Sequence, residues 1–65
     1  MSDATLLGNL ILVAAAAHDS VYLAHDTAYG INNRSGWSVT LDGCVLVQFA
    51  DEPAGALAEA LRRSP

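Results

Sequence analysis

The sequence contains no lysine, and its only cationic side chains are Arg34, Arg62 and Arg63, against seven acidic residues and a net charge of −4. Nucleic-acid binding needs a clustered basic face that neutralises phosphates and releases their counterions. Three scattered arginines do not make one, so no nucleic-acid partner is expected. Cysteine is equally scarce: Cys44 is single and cannot form an internal disulfide, and no Cys/His spacing suggests a structural zinc. The usual staples of a mini-protein are therefore missing. The glycines lie apart at 8, 30, 36, 43 and 55, so no phosphate-cradling loop exists, and Ser20, Ser35 and Ser38 carry no nucleophile motif. No cofactor is expected.

A long hydrophobic span is also lacking. Residues 4–17 are uncharged, yet Gly8 and Asn9 interrupt them and His18-Asp19 ends them, short of the roughly 20 apolar residues a membrane helix needs. The only charge before this run is Asp3, whereas a signal peptide opens with positive charge. The reading is a cytoplasmic chain with no membrane partner. Its Ala-, Leu- and Asp-rich composition suggests a high-GC bacterium or one of its phages.

What the chain has in abundance is apolar material. Of its 65 residues 52% are hydrophobic and 15% charged. A chain of this length is one domain, 1–65, and buries only about 60% of its unfolded surface. With more hydrophobic surface than it can hide, it is expected to associate with itself, as a dimer or larger assembly, or with another protein.

Ser2 or Asp3 can cap an N-terminal helix over 4–17. Leu6, Leu10, Val13 and Ala17 share one face of it, Leu7, Ile11 and Ala14 flank that face, and Leu12 lies farther round. Such a helix is apolar around most of its circumference and needs cover on more than one side. Next comes an echo at an offset of seven, residues 17–22 (AHDSVY) and 24–29 (AHDTAY). Asp19 or Ser20 as N-cap and Gly30-Ile31 as a C-terminal stop favour a second helix over 20–31, while Val21, Tyr22, Thr27, Tyr29 and Ile31 would suit a strand. Residues 32–36 (NNRSG) form a turn cluster.

Residues 37–49 predict a β-hairpin whose Asp42-Gly43 turn supplies the two positive φ angles of a type I′ turn. Its register places Leu41 opposite Cys44, Val39 opposite Leu46 and Trp37 opposite Gln48 on one face, with Thr40–Val45 and Ser38–Val47 on the other. The last strand, carrying Val45, Val47 and Phe49 on that second face, then reads as covered on both sides. A final helix follows Asp51, with Pro53 in its first turn and an end near Arg63. Its apolar stripe is Ala54, Leu57, Ala58 and Leu61, and Glu59 can pair with Arg62 or Arg63.

The two His-Asp pairs are the one constellation that could suggest metal or catalysis. On one helix His18 and His25 would stand about 10.5 Å apart along the axis, too far to share an ion. A packing stripe is the simpler reading. Cys44 reads as a small hydrophobe on a strand, and Trp37 as core or as an interface anchor.

The sequence thus describes a small α+β domain with an apolar first helix, a hairpin over 37–49 and an amphipathic last helix. The function expected of it is a non-catalytic, homo-oligomeric accessory, regulator or inhibitor subunit. Its interface would be Leu7, Ile11, Leu12, Trp37, Val45, Val47 and Phe49, with no catalytic residue and no metal. The alternative is a small ligand- or metal-binding protein, or a weak enzyme, using His18, His25 and nearby aspartates at a subunit boundary.

Overall fold

A computed structural model describes residues 3–30 and 33–64. Helix α1 (Asp3–Ala17) is followed by strands β1 (Val21–Ala28), β2 (Arg34–Leu41) and β3 (Cys44–Ala50) and by helix α2 (Pro53–Arg63). The strands form one antiparallel sheet in the order β1-β2-β3. Both helices lie on one of its faces: α2 crosses β2 and β3, while α1 packs beside α2 and touches β1. This is the α+β domain expected from the patterning.

The second helix is not formed. Residues 21–28 are strand β1, paired without interruption from Val21–Leu41 to Ala28–Arg34. A two-stranded hairpin is too small to hold itself together in water, and its free edge offers β-branched and aromatic residues a ladder that an isolated helical segment could not supply. The helix-stop signal at Ile31 lies outside the described residues, as do Ser2 and Asn32. Arg34, Ser35 and Gly36 belong to β2 instead of the turn, and Asn33 closes the shortened connection by accepting the Gly30 N–H on its side-chain oxygen at 3.0 Å.

The Asp42-Gly43 turn forms as the sequence requires, with φ of 52° and 84°. Leu41 faces Cys44 and Thr40 faces Val45, as expected, but the register then slips twice: Val39 meets Val47, and Trp37 meets Ala50. Leu46 is the extra residue of the first slip. The second falls at Phe49, whose φ of 58° turns the chain through the left-handed region. The consequence is a change of face. Val45 stays on the sheet surface away from the helices, 56% exposed, while Val47 moves into the core at 8%. The strand is therefore covered on one side only.

Gly36 makes the second bulge possible. A Cβ there would stand 2.5 Å from the carbonyl carbon of Phe49 and 2.6 Å from its Cα, so the strands could not approach this closely with any other residue. Arg34, on the same face, lays its guanidinium 5.4 Å from the centre of the Phe49 ring.

The core is thin. Ala14, Val39, Leu41, Val47, Ala56, Leu57 and Ala60 form it, and Leu57 and Val39 are its largest fully buried side chains. Burial of Leu57 contributes about 1.5–3 kcal/mol. On α2 the inward face is Ala54, Ala56, Leu57 and Ala60; Ala58, expected inside, is exposed, and Leu61 is half-buried. On α1 the inward residues are Leu7, Leu10 and Ala14, so the face differs by about one residue from the expected stripe. Leu6 and Val13 are turned outward. Glu59 pairs with both Arg62 and Arg63, and Arg63 also donates to the Leu46 carbonyl at 2.9 Å, which fastens α2 to β3.

Replacing Gly43 by Val forces a β-branched residue to the left-handed φ and is expected to lower stability by about 1–2 kcal/mol in urea unfolding. For Gly36→Ala the clash is with backbone, which cannot rotate away, and a loss of about 1–3 kcal/mol is expected; a neutral result would mean that β3 does not bulge at Phe49.

Candidate functional site

Two places carry the chemistry that the sequence singled out. The first is the node where the hairpin turn meets the α1–β1 connection. His18 Nδ1 lies 2.7 Å from Asp42 Oδ2, and Asp42 Oδ1 accepts the backbone N–H groups of Asp19 at 2.7 Å and Ser20 at 3.1 Å. The hydrogen bond to His18, then the bond from Ser20, hold the Asp42 carboxyl below its ordinary value of 3.8. An ionised carboxylate only accepts, so the proton between the two side chains sits on Nδ1 of His18. The His18 side chain is 11% exposed.

A cavity of about 270 Å³ adjoins this node, lined by His18, Asp42 and Cys44 with Leu41, Leu46 and Ser64 among their neighbours. Cys44 is exposed, not buried as a strand hydrophobe. A thiol, an imidazole and a carboxylate thus border one cleft. Nucleophilic catalysis needs the base within hydrogen-bond reach of the nucleophile, and among the described residues no hydrogen bond joins Cys44 to His18. The carboxylate of Asp42 takes His18 on Oδ2 and the backbone N–H groups of residues 19 and 20 on Oδ1. Its role is to tie the turn to the linker.

His25 lies elsewhere, exposed on β1, with its ring edge-on to Trp37 at 5.1 Å between centroids. The two histidines are not brought together. Among the described residues, no group of three or more His, Cys, Asp or Glu is placed to hold a metal ion.

The second place is the uncovered apolar surface. Leu12 is 70% and Val13 58% exposed on α1, with Leu6 and Ile11 partly exposed beside them. Val45 and Tyr22 are exposed on the open face of the sheet, where Phe49 is half-buried under Arg34. Of the expected interface residues, Ile11, Leu12 and Val45 are at the surface. Leu7 and Trp37 pack against the core, and Val47 is inside it. They do not form one patch, because α1 and the open face of the sheet lie on opposite sides of the strands. Leu6 and Val13, read from the sequence as part of one shared face with Leu10 and Ala17, are exposed instead because a helix this apolar gives no polar stripe to fix its rotation, and Tyr22 escaped the sequence reading because its strand read as a helix. No helix of the described residues is long and apolar enough to cross a membrane.

Because the folded-state Asp42 is more acidic than the unfolded one, its contribution to stability is fully present above 3.8 and is lost as pH falls through the folded value. Asp42→Asn is expected to lower the melting temperature at pH 7 and to reduce the difference in melting temperature between pH 7 and pH 2.5. An unchanged acid profile would remove Asp42 from this role.

No family model, curated protein or solved structure matches the chain.

Proposed function

We propose that this chain is a non-catalytic protein-interaction module that works as a homo-oligomer, an accessory, regulatory or inhibitory subunit in the cytoplasm. The observation that supports this most is the outer surface of α1. No residue from 4 to 17 carries a charge, and Leu12 and Val13 stand largely in solvent. Scattered surface leucines are ordinary. Fourteen successive helical residues without a charge, with Leu6, Ile11, Leu12 and Val13 all exposed among them, are not, since soluble monomers avoid large exposed apolar surface.

The core supports the same reading. Its largest fully buried side chains are Leu57 and Val39, whereas Leu6, Ile11, Leu12, Val13, Tyr22, Tyr29 and Val45 are exposed. More large hydrophobic side chains lie outside than deep inside. Covering some of them in an assembly adds about 25 cal/mol for each Å² of apolar area removed from water. A symmetric dimer is the commonest arrangement that does so.

Light scattering at micromolar concentration is expected to give at least twice the chain mass of 6.8 kDa, and a Leu12→Asp variant is expected to fall to one chain with its circular dichroism retained. A single-chain mass for the unsubstituted protein would end the homo-oligomer reading.

A further inference from the structure

The two edges of the sheet are not alike. On β3 the edge is broken by two register slips, carries Phe49 at positive φ, and has the Leu46 carbonyl covered by Arg63. Bulges and side chains placed in this way are how proteins blunt a strand edge. The β1 edge has none of these devices. Its eight residues (VYLAHDTA) pair with β2 without a slip and include no proline, lysine or arginine, and a single charge, Asp26.

We propose that a second copy of the chain adds to this free edge by antiparallel pairing about Ala24, joining the two three-stranded sheets into one of six strands. The inference rests on the self-association proposed above and specifies where it happens.

The register follows from which backbone groups are free. The Asp42 N–H donates to the Ser20 carbonyl at 2.9 Å, so Ser20 and Asp42 form a hydrogen-bonded pair at the end of the β1–β2 ladder. Such pairs alternate along antiparallel strands. Tyr22, Ala24, Asp26 and Ala28 therefore direct their N–H and C=O groups toward β2, while Val21, Leu23, His25 and Thr27 direct theirs outward. A two-fold axis perpendicular to the sheet keeps both helix layers on the same side, and it requires residues of like facing to stand opposite one another. Centred on Ala24, it sets Leu23 opposite the partner's His25 and Val21 opposite the partner's Thr27. Every outward group of β1 then finds a partner inside β1. Moving the centre to Leu23 or His25 leaves Thr27 or Val21 facing a residue beyond the strand.

Charge selects the same register. With the axis at Ala24, Asp26 stands opposite the partner's Tyr22, whose hydroxyl can donate to it, and four positions, about 13 Å, from the partner's Asp26. A centre at His25 would halve that separation. The helices agree as well: α1 is the helix on the β1 side of the layer, so the join places the two α1 helices, uncharged from residue 4 to residue 17, side by side.

In this arrangement the two Ala24 residues form a non-hydrogen-bonded pair with Cα atoms about 4.5 Å apart, within the range a disulfide spans. The test is an Ala24→Cys variant in a Cys44→Ser background, incubated with oxidised glutathione. Two thiols, one from each copy, are oxidised to a disulfide while glutathione disulfide is reduced to two thiols. Most of the chain is expected to become a covalent dimer on non-reducing gels, at a rate at least tenfold above that of Tyr22→Cys in the same background. An Ala24→Lys variant, which sets two like charges on the axis, is expected to scatter light as a single chain. If the protein is dimeric but Ala24→Cys does not cross-link faster than Tyr22→Cys, the edge pairing is wrong and self-association through another surface stands. If the unsubstituted chain is a monomer, both are wrong. Should Ala24→Lys fail to fold, the cross-linking rates alone decide.

Discussion

Asp42 is the residue on which the arrangement turns. It must adopt a left-handed conformation for the type I′ turn, which aspartate tolerates better than most residues. From that position its carboxylate collects the imidazole of His18 and two backbone N–H groups of the segment between α1 and β1, while its own N–H closes the end of the β1–β2 ladder on Ser20. One side chain thus ties the hairpin turn to the end of α1 and the start of β1. A chain with no disulfide and no cluster of metal ligands among its described residues has few other ways to hold a helix end against a turn, and charge-assisted hydrogen bonds are the stronger kind available.

From this anchor the sheet is built outward with unequal edges. On the β3 side the chain departs from regular pairing twice, and the departures sort its side chains: Val47 goes to the helices, Val45 to the open face, and Phe49 folds over Gly36 under the guanidinium of Arg34. On the β1 side nothing interrupts the ladder. The same molecule therefore presents one edge strand with an irregular ladder and one with a regular ladder.

The helix layer follows a similar division. In α2 the alanines Ala54, Ala56 and Ala60 surround Leu57, which lets the helix sit close to β2 and β3, and its outer face is occupied by the Glu59–Arg62–Arg63 cluster. In α1 only Leu7, Leu10 and Ala14 are engaged with the core, and from residue 4 to residue 17 the helix has no charge to match those of α2, its exposed polar residues being Thr5 and Asn9. The interaction surface proposed on the α1–β1 side of the molecule would account for the absence of charge from residues 4–17, for the plain edge of β1, and for a core too small for the hydrophobic content of the chain.

The amino-acid sequence alone determined the local features whose causes are local. Asp42-Gly43 specified the turn through its tolerance of positive φ, Pro53 and the 3.6-residue spacing of alanine and leucine specified α2, and the uncharged run of residues 4–17 specified α1. Tertiary structure decided what depends on partners. Residues 21–28 can satisfy either period, and they became a strand because β2 offered a ladder. The slip at Leu46, which moved Val47 inside and broke up the expected patch, is set by how β3 pairs with β2, and the slip at Phe49 depends on Gly36 lying across the sheet, a contact thirteen residues distant that no local pattern encodes. Likewise, the pairing of His18 with Asp42, and not with the echoed His25, arises because folding brings residues 24 positions apart within 2.7 Å, whereas the seven-residue offset in the sequence described only their spacing along the chain.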